Sequence, residues 1–213
     1  MKKTILLITI ILMSITTLNA QDNKIEPKGI YKEIDVEKSN NVLEILKGEN
    51  ISLKTQVVDS IIKNPNEYNP PVLYALSKEL YENNKKDEAT FWFYLAQLRA
   101  RYDANLCLDN SAKQAISILN NEYGPNINKY AFENINFLET TVKKVVDFAK
   151  SNNENYDHRW LNLHGMDAVL ASMDEKSEKK ELSKPKKDWE KIKQKTIDDY
   201  FNGFTEYLKS LKK

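Results

Sequence analysis

From Ser39 to the C-terminus the apolar residues recur at intervals of three and four, and nowhere do they alternate for long enough to mark a strand. That periodicity confines the chain to helices packed on helices, because an apolar helical stripe must be buried against another element. Hydrophobic residues at 41% and aromatics at 10% of 213 residues supply enough material for one core. The expected fold is therefore all-α, an antiparallel helical-hairpin bundle of about seven helices.

Helix boundaries follow from caps and breakers. Ser39 is placed to cap a helix carrying Val42, Leu43, Ile45 and Leu46, which stops at Gly48. A second runs from Ile51 to Lys63, with Leu53, Val57, Val58, Ile61 and Ile62 on one side. Pro65, Pro70 and Pro71 break the pattern, and Pro71 suits the first turn of the next helix. That helix carries Leu73, Leu76 and Leu80. A polar turn at Asn83-Asn84-Lys85-Lys86 leads to another, capped by Asp87 and carrying Ala89, Trp92, Phe93, Ala96 and Ala100. Residues 110–123 form a helix expected to end at Gly124-Pro125, and the next lies within 129–150. The domain core is drawn over 21–173, beginning with an extended polar lead-in at 21–37. Residues 174–188 read as a charged linker, with Leu182 as their one large apolar residue, and 189–213 as a C-terminal amphipathic helix.

Ala75, Leu80-Tyr81, Asn84, Glu88-Ala89, Phe93-Tyr94 and Ala96 lie in an order that resembles one unit of the Sel1-like branch of the tetratricopeptide repeats. The family prefers Gly where Asn84 stands, and Asn tolerates the left-handed backbone that position needs. The resemblance spans residues 71–103 and occurs once; Ala112, Ala115, Leu119, Tyr123 and Gly124 echo it faintly. A generic helical hairpin explains the same residues. Solenoids need stacked copies, so an array is not expected.

The N-terminus reads as a targeting segment. Met1-Lys2-Lys3 is a positive n-region, Ile5–Leu18 an uncharged apolar run, and Leu18-Asn19-Ala20 a cleavage site. The run is short of the ~20 apolar residues a spanning helix needs. An uncleaved anchor remains the alternative. Export to the periplasm or medium is the expectation, with no stable membrane insertion once 1–20 are removed. Cleavage takes Lys2 and Lys3 from the 32 basic residues and nothing from the 31 acidic ones, leaving net −1. Such a balance carries no signature of nucleic-acid binding. Cys107 is the only cysteine, so no internal disulfide is available and packing alone must hold the fold. Between Leu106 and Leu108 it reads as a small buried hydrophobe.

Catalytic equipment is sparse. Five glycines argue against phosphate-cradling loops, and no Gly-x-Ser-x-Gly elbow occurs. The two histidines, His158 and His164, lie in one segment with Asp157 and Asp167, a mixed set of nitrogen and oxygen donors for a metal. Residues six apart on an α-helix point about 120° apart, and Gly165 would have to bend the chain to unite them. Either this is a structural knot around Trp160 and Met166, or it is the centre of a metal-dependent or other envelope enzyme with Arg159 and His164 as working groups. No cofactor, catalytic residue or metal ligand is assigned.

Arginine is used only at Arg99, Arg101 and Arg159. The planar guanidinium suits bidentate pairing, with Asp103 or Asp157 within reach in sequence, or a shared binding surface if the three converge. The C-terminal helix, opening at Trp189, has three possible uses: packing on the core, lying on a membrane surface, or docking in a partner's groove. Partner-binding candidates are thus Arg99, Arg101, Arg159 and Trp189. The expected function is an exported, non-enzymatic module that binds another protein. What the resemblance implies more narrowly is an immunity protein that neutralises an antibacterial effector toxin in the cell envelope.

Overall fold

The computed structural model describes residues 26–173 and 181–211. Among them run eight α-helices: α1 (Glu37–Lys47), α2 (Ile51–Lys63), α3 (Pro70–Glu82), α4 (Lys86–Leu106), α5 (Gln114–Phe132), α6 (Ile135–Ser151), α7 (Met166–Met173) and α8 (Trp189–Leu211). The described residues contain no strand, and the fold is all-α. Residues 1–25, where the targeting segment is expected, lie outside the described residues.

α4 is the axis. It packs on α3, α5, α6 and α8, and apolar side chains cover nearly its whole circumference, as a helix surrounded by others requires. Ala89, Ala96 and Ala100 are fully buried and leave room for neighbouring backbones. The α3–α4 turn places Asn84 at φ 61°, in the left-handed region. Backbone N–H groups of Lys85 and Asn84 then reach the Leu80 and Tyr81 carbonyls at 2.9 and 3.0 Å, closing the end of α3. Asp87 is not the cap expected of it. It sits in the first turn of α4 and accepts a hydrogen bond from the Tyr130 hydroxyl at 2.6 Å.

Other boundaries also differ from the sequence reading. Ser39 lies buried inside α1, because the helix is already hydrogen-bonded from the Val36 carbonyl. On α2, Leu53 points outward while Val58 and Ile61 are buried, and the cap is Asn50, whose side chain accepts from Leu53 N–H at 3.1 Å. α5 does not stop at Gly124-Pro125. Pro125 falls on the exposed side, where water can satisfy the carbonyl that loses its helical N–H. Gly124 falls on the inner side, where an added Cβ would sit 3.1 Å from the Phe93 ring. The true break comes at Asn134, which caps α6 by accepting from Phe137 N–H at 3.0 Å.

Gly165 interrupts the stretch from Tyr156 to Met173. A 3-10 helix over His158–His164 ends at Gly165, and α7 follows. The lead-in is folded as well: a 3-10 turn at Gly29–Glu33 buries Tyr31, and with Ile34 it packs on Ala168, Ala171 and Leu182 as a second small core. Within the expected linker, residues 174–180 lie outside the described ones, but 181–188 are docked. Leu182 is buried, its carbonyl accepts from Leu108 N–H at 3.2 Å, and Lys184 N–H donates to the Leu106 carbonyl at 2.9 Å. Leu182 supplies apolar area, and the pairing satisfies a carbonyl at the end of α4. α8 packs back on α4 and α6. No helix among the described residues is long and apolar enough to cross a membrane.

Candidate functional site

Three stretches meet beside the C-terminal third of α4: residues 155–160, residues 181–189, and the start of α1 with its lead-in. Between them lies a cleft of about 690 Å³, lined among others by Asp35, Lys38, Tyr156, His158, Arg159 and Trp189. Asp157 turns the chain into its floor. Its carboxylate accepts from the Arg159 backbone N–H at 2.9 Å, capping the 3-10 helix, and from the Asp35 N–H at 3.1 Å.

Behind the floor stands Asp103, a wholly buried carboxylate on α4. One oxygen meets His158 Nδ1 at 2.6 Å; the other accepts from Trp160 Nε1–H at 2.6 Å and the Tyr156 hydroxyl at 3.0 Å. Indole nitrogen and the Tyr156 hydroxyl donate to one carboxylate oxygen, and the short contact between the other oxygen and His158 Nδ1 is closed by a proton that the pair shares. Burial pushes the Asp103 carboxyl above its ordinary value, against the pull of His158, Trp160 and Tyr156. Burial pulls the His158 imidazole down, but the Asp103 charge outweighs that and the net direction is up. Both shifts mean that the pair holds its proton. Tyr156, raised well above the usual phenol range by burial and by Asp103, stays a neutral donor. Tyr102, Tyr156 and Trp189 ring the imidazole, with centroids 5.2, 4.7 and 5.2 Å away.

The four residues singled out in the sequence are divided. Arg159 and Trp189 both line the cleft. Asp157 engages the Arg159 fork through Nε at 3.0 Å and an Nη at 2.7 Å, and the guanidinium also reaches the Glu33 carbonyl at 2.9 Å. Trp189 opens α8 and donates its indole N–H to the Lys184 carbonyl at 2.7 Å. Arg101 is exposed, with its guanidinium 5.1 Å from the Tyr200 ring centroid. Arg99 is buried and serves the fold. It donates to the Pro65 carbonyl at 2.8 Å and to Asn66 Oδ1 at 2.5 Å, and its Nε stands 3.6 Å from Glu154. The other Glu154 oxygen takes Lys193 Nζ of α8 at 2.8 Å, and the same ammonium reaches the Asn152 carbonyl at 2.7 Å. The three arginines therefore do not form one surface, and Asp103 pairs with His158 rather than with an arginine.

His158 and His164 are also separated. His164 is exposed at the far end of the 3-10 helix, beside the Trp160 ring and outside the cleft lining. Asp167 lies apart from Asp157: its backbone N–H donates to Asp109 at 3.1 Å. Among the described residues no three His, Cys, Asp or Glu side chains are grouped to hold a metal ion. Cys107 is buried, with Sγ 3.2 Å from Asn162 Oδ1. Comparisons with protein-family models, curated proteins and solved structures find no match to this chain.

Glu154, Lys193 and the role of Asp103 escaped the sequence reading. One signal was present. Asp103 is a lone acid in the stretch from Leu98 to Leu106, otherwise apolar apart from two arginines and Asn105, and such an acid needs buried donors from elsewhere.

Proposed function

We propose that this chain is an exported, non-enzymatic module that binds another protein through the cleft between residues 155–160 and 181–189. The observation that carries the reading is that Arg159 and Trp189 line one cleft together with His158. A tryptophan and an arginine at a concave surface are the residue types that dominate binding energy at protein interfaces. The leader-like N-terminus supports export to the periplasm or medium. The Sel1-like pattern over 71–103 supports the narrower reading, an immunity protein against an effector toxin of the cell envelope, by analogy alone.

Affinity capture from the cell envelope with the mature chain, residues 21–213, tests this. One stoichiometric protein partner, lost on Trp189→Ala or Arg159→Ala but kept on Arg101→Ala, supports the cleft. Capture that ignores both cleft substitutions refutes it.

A second reading, an enzyme centred on 157–167, has one observation in its favour: Asp103 orients His158 as an acid–base group is oriented in many active sites. Turnover of an envelope substrate that disappears in His158→Asn, with no stoichiometric partner captured, would favour it.

A further inference from the structure

The donor count around Asp103 leads further than the cleft's outline. The carboxyl group is wholly buried, and the two partners that donate to it unambiguously, Tyr156 and Trp160, are neutral. A buried negative charge needs a counter-charge, and the group in contact that can supply it is the imidazolium of His158. That cation carries a second N–H, on Nε2, at the opposite edge of the ring. Nε2 makes no hydrogen bond to any described residue, although His158 is only 8% exposed and its ring belongs to the cleft lining. Nε2 is open to solvent at the cleft, where the acceptor of a ligand can replace water.

The neighbours set the sign of that ligand. Lys184 and Lys186 stand on the cleft rim and make no ion pair with a described residue. The Arg159 charge is matched by Asp157, and Lys38 lies 3.6 Å from Glu67. Asp35 and Glu181 also line the cleft, on exposed backbone, and oppose the lysines at the rim. Neither acid is hydrogen-bonded to the imidazole, and Ser183 Oγ in the same lining is buried without a partner, so the cleft offers a neutral donor beside the cationic one.

We propose that the cleft takes a carboxylate of the partner's chain onto His158 Nε2, with Trp189 and Tyr156 walling the apolar stem behind it. This rests on the cleft reading above and names the chemistry that the cleft selects. The carboxylate can be an acidic side chain or a chain terminus. His158 acts as a charged anchor fixed by Asp103, so binding weakens as pH rises and the imidazolium is lost. Groups facing the ring are Tyr102 and Asp103 of α4, Glu154, Tyr156 and Asp157 of the preceding segment, and Trp189 of α8. Of the ionisable ones, the carboxylates hold the proton on and the phenols stay neutral.

The test is side-chain nitrogen NMR of His158 in mature 21–213, with three peptide probes. Acetyl-Gly-Glu-Gly-amide carries a side-chain carboxylate, acetyl-Gly-Gly-Gly a terminal one, and acetyl-Gly-Gln-Gly-amide none. The expected result is movement of the Nε2–H resonance with one or both acidic peptides and none with the neutral one; the responding probe identifies the source. His158→Asn keeps a donor toward Asp103 and removes Nε2, and should weaken binding about ten-fold or more. Lys184→Gln, on the exposed rim, should reduce affinity and its salt dependence without touching the floor, whereas Lys186 lies over the Trp189 ring, 5.9 Å from its centroid, and is left in place. Equal response to the neutral peptide, or no movement of Nε2 with any probe, overturns the proposal. If partner capture still needs Trp189 while His158→Asn captures normally, the carboxylate is wrong and the cleft reading stands.

Discussion

Glu154→Gln is the substitution that most severely tests the account of Arg99. In the native protein one buried carboxylate stands between two buried cations: Arg99 Nε at 3.6 Å and Lys193 Nζ at 2.8 Å. The side chains of Arg99, Glu154 and Lys193 are 1%, 4% and 9% exposed, so water screens little of the interaction. Replacing the carboxylate by an amide leaves two positive charges facing each other. Arg99 keeps the Pro65 carbonyl and Asn66, and Lys193 keeps the Asn152 carbonyl, but these are dipoles rather than counter-charges. Removing one partner of a buried ion pair costs about 3–5 kcal/mol. For a chain of this size each kcal/mol lowers Tm by about 2–4 °C, so a fall of roughly 6–20 °C is expected. Urea unfolding at neutral pH, followed by circular dichroism, gives the free energy directly. Replacing all three residues by apolar ones of similar volume should recover much of the loss, because the desolvation of the charges disappears with them. A Glu154→Gln protein within about 1 kcal/mol of the native one would refute the reasoning.

Asp103→Asn should alter the pH dependence of stability. The folded-state pKa of His158 lies above its ordinary 6.5, so the native state binds that proton more tightly than the unfolded chain. The contribution is complete below 6.5 and is lost as pH rises through the folded value; urea midpoints across that window should fall in the native protein and flatten in the variant. Gly165→Ala should destabilise by about 1–3 kcal/mol, because a Cβ there would collide with the Asp109 carboxylate that holds Ser111 and Asp167; thermal melts check it. Asn134→Ala should cost about 1 kcal/mol through loss of the α6 cap, and an unchanged melt would mean that α6 starts elsewhere. Arg101→Ala should change stability by under about 1 kcal/mol, since Arg101 is exposed and only its guanidinium lies over the buried Tyr200 ring.

The fold class was legible because it depends on periodicity, which tertiary contacts rarely overrule in long segments. The helix from Ile51 to Lys63 and the α3–α4 turn at Asn84 follow from local rules alone. Pro125 misled because proline is read as a breaker, whereas on a solvent-facing turn the missing hydrogen bond has water to replace it. The charged segment around Leu182 misled for a related reason. One apolar residue and two backbone hydrogen bonds suffice to dock a stretch that composition marks as free. Of the site, Arg159 and Trp189 could be picked by residue type, but the cleft joins residues from opposite ends of the chain. No spacing rule connects Asp103 with His158, or Glu154 with Lys193.

The division between structural charges and those proposed for recognition rests on what each leaves unpaired. Arg99 and Lys193 are buried with a carboxylate and backbone carbonyls around them, and any partner would have to displace those contacts first. At the cleft the pairing is incomplete on one side only. Asp103 has three hydrogen-bonding partners, while the imidazole it holds in place keeps its other nitrogen without a bond to any described residue. Saturating the buried half of the pair fixes the ring, and leaving the other half open gives the cleft its one directed charge. Trp189 is the first residue of α8 and Lys193 lies one turn further on, bound to Glu154 beside Tyr156. The ion cluster that anchors α8 therefore also sets the position of the cleft's aromatic wall. A substitution at Glu154 should accordingly weaken partner capture as well as stability, whereas one at Asn134, on α6 away from this wall, should lower stability and leave capture intact.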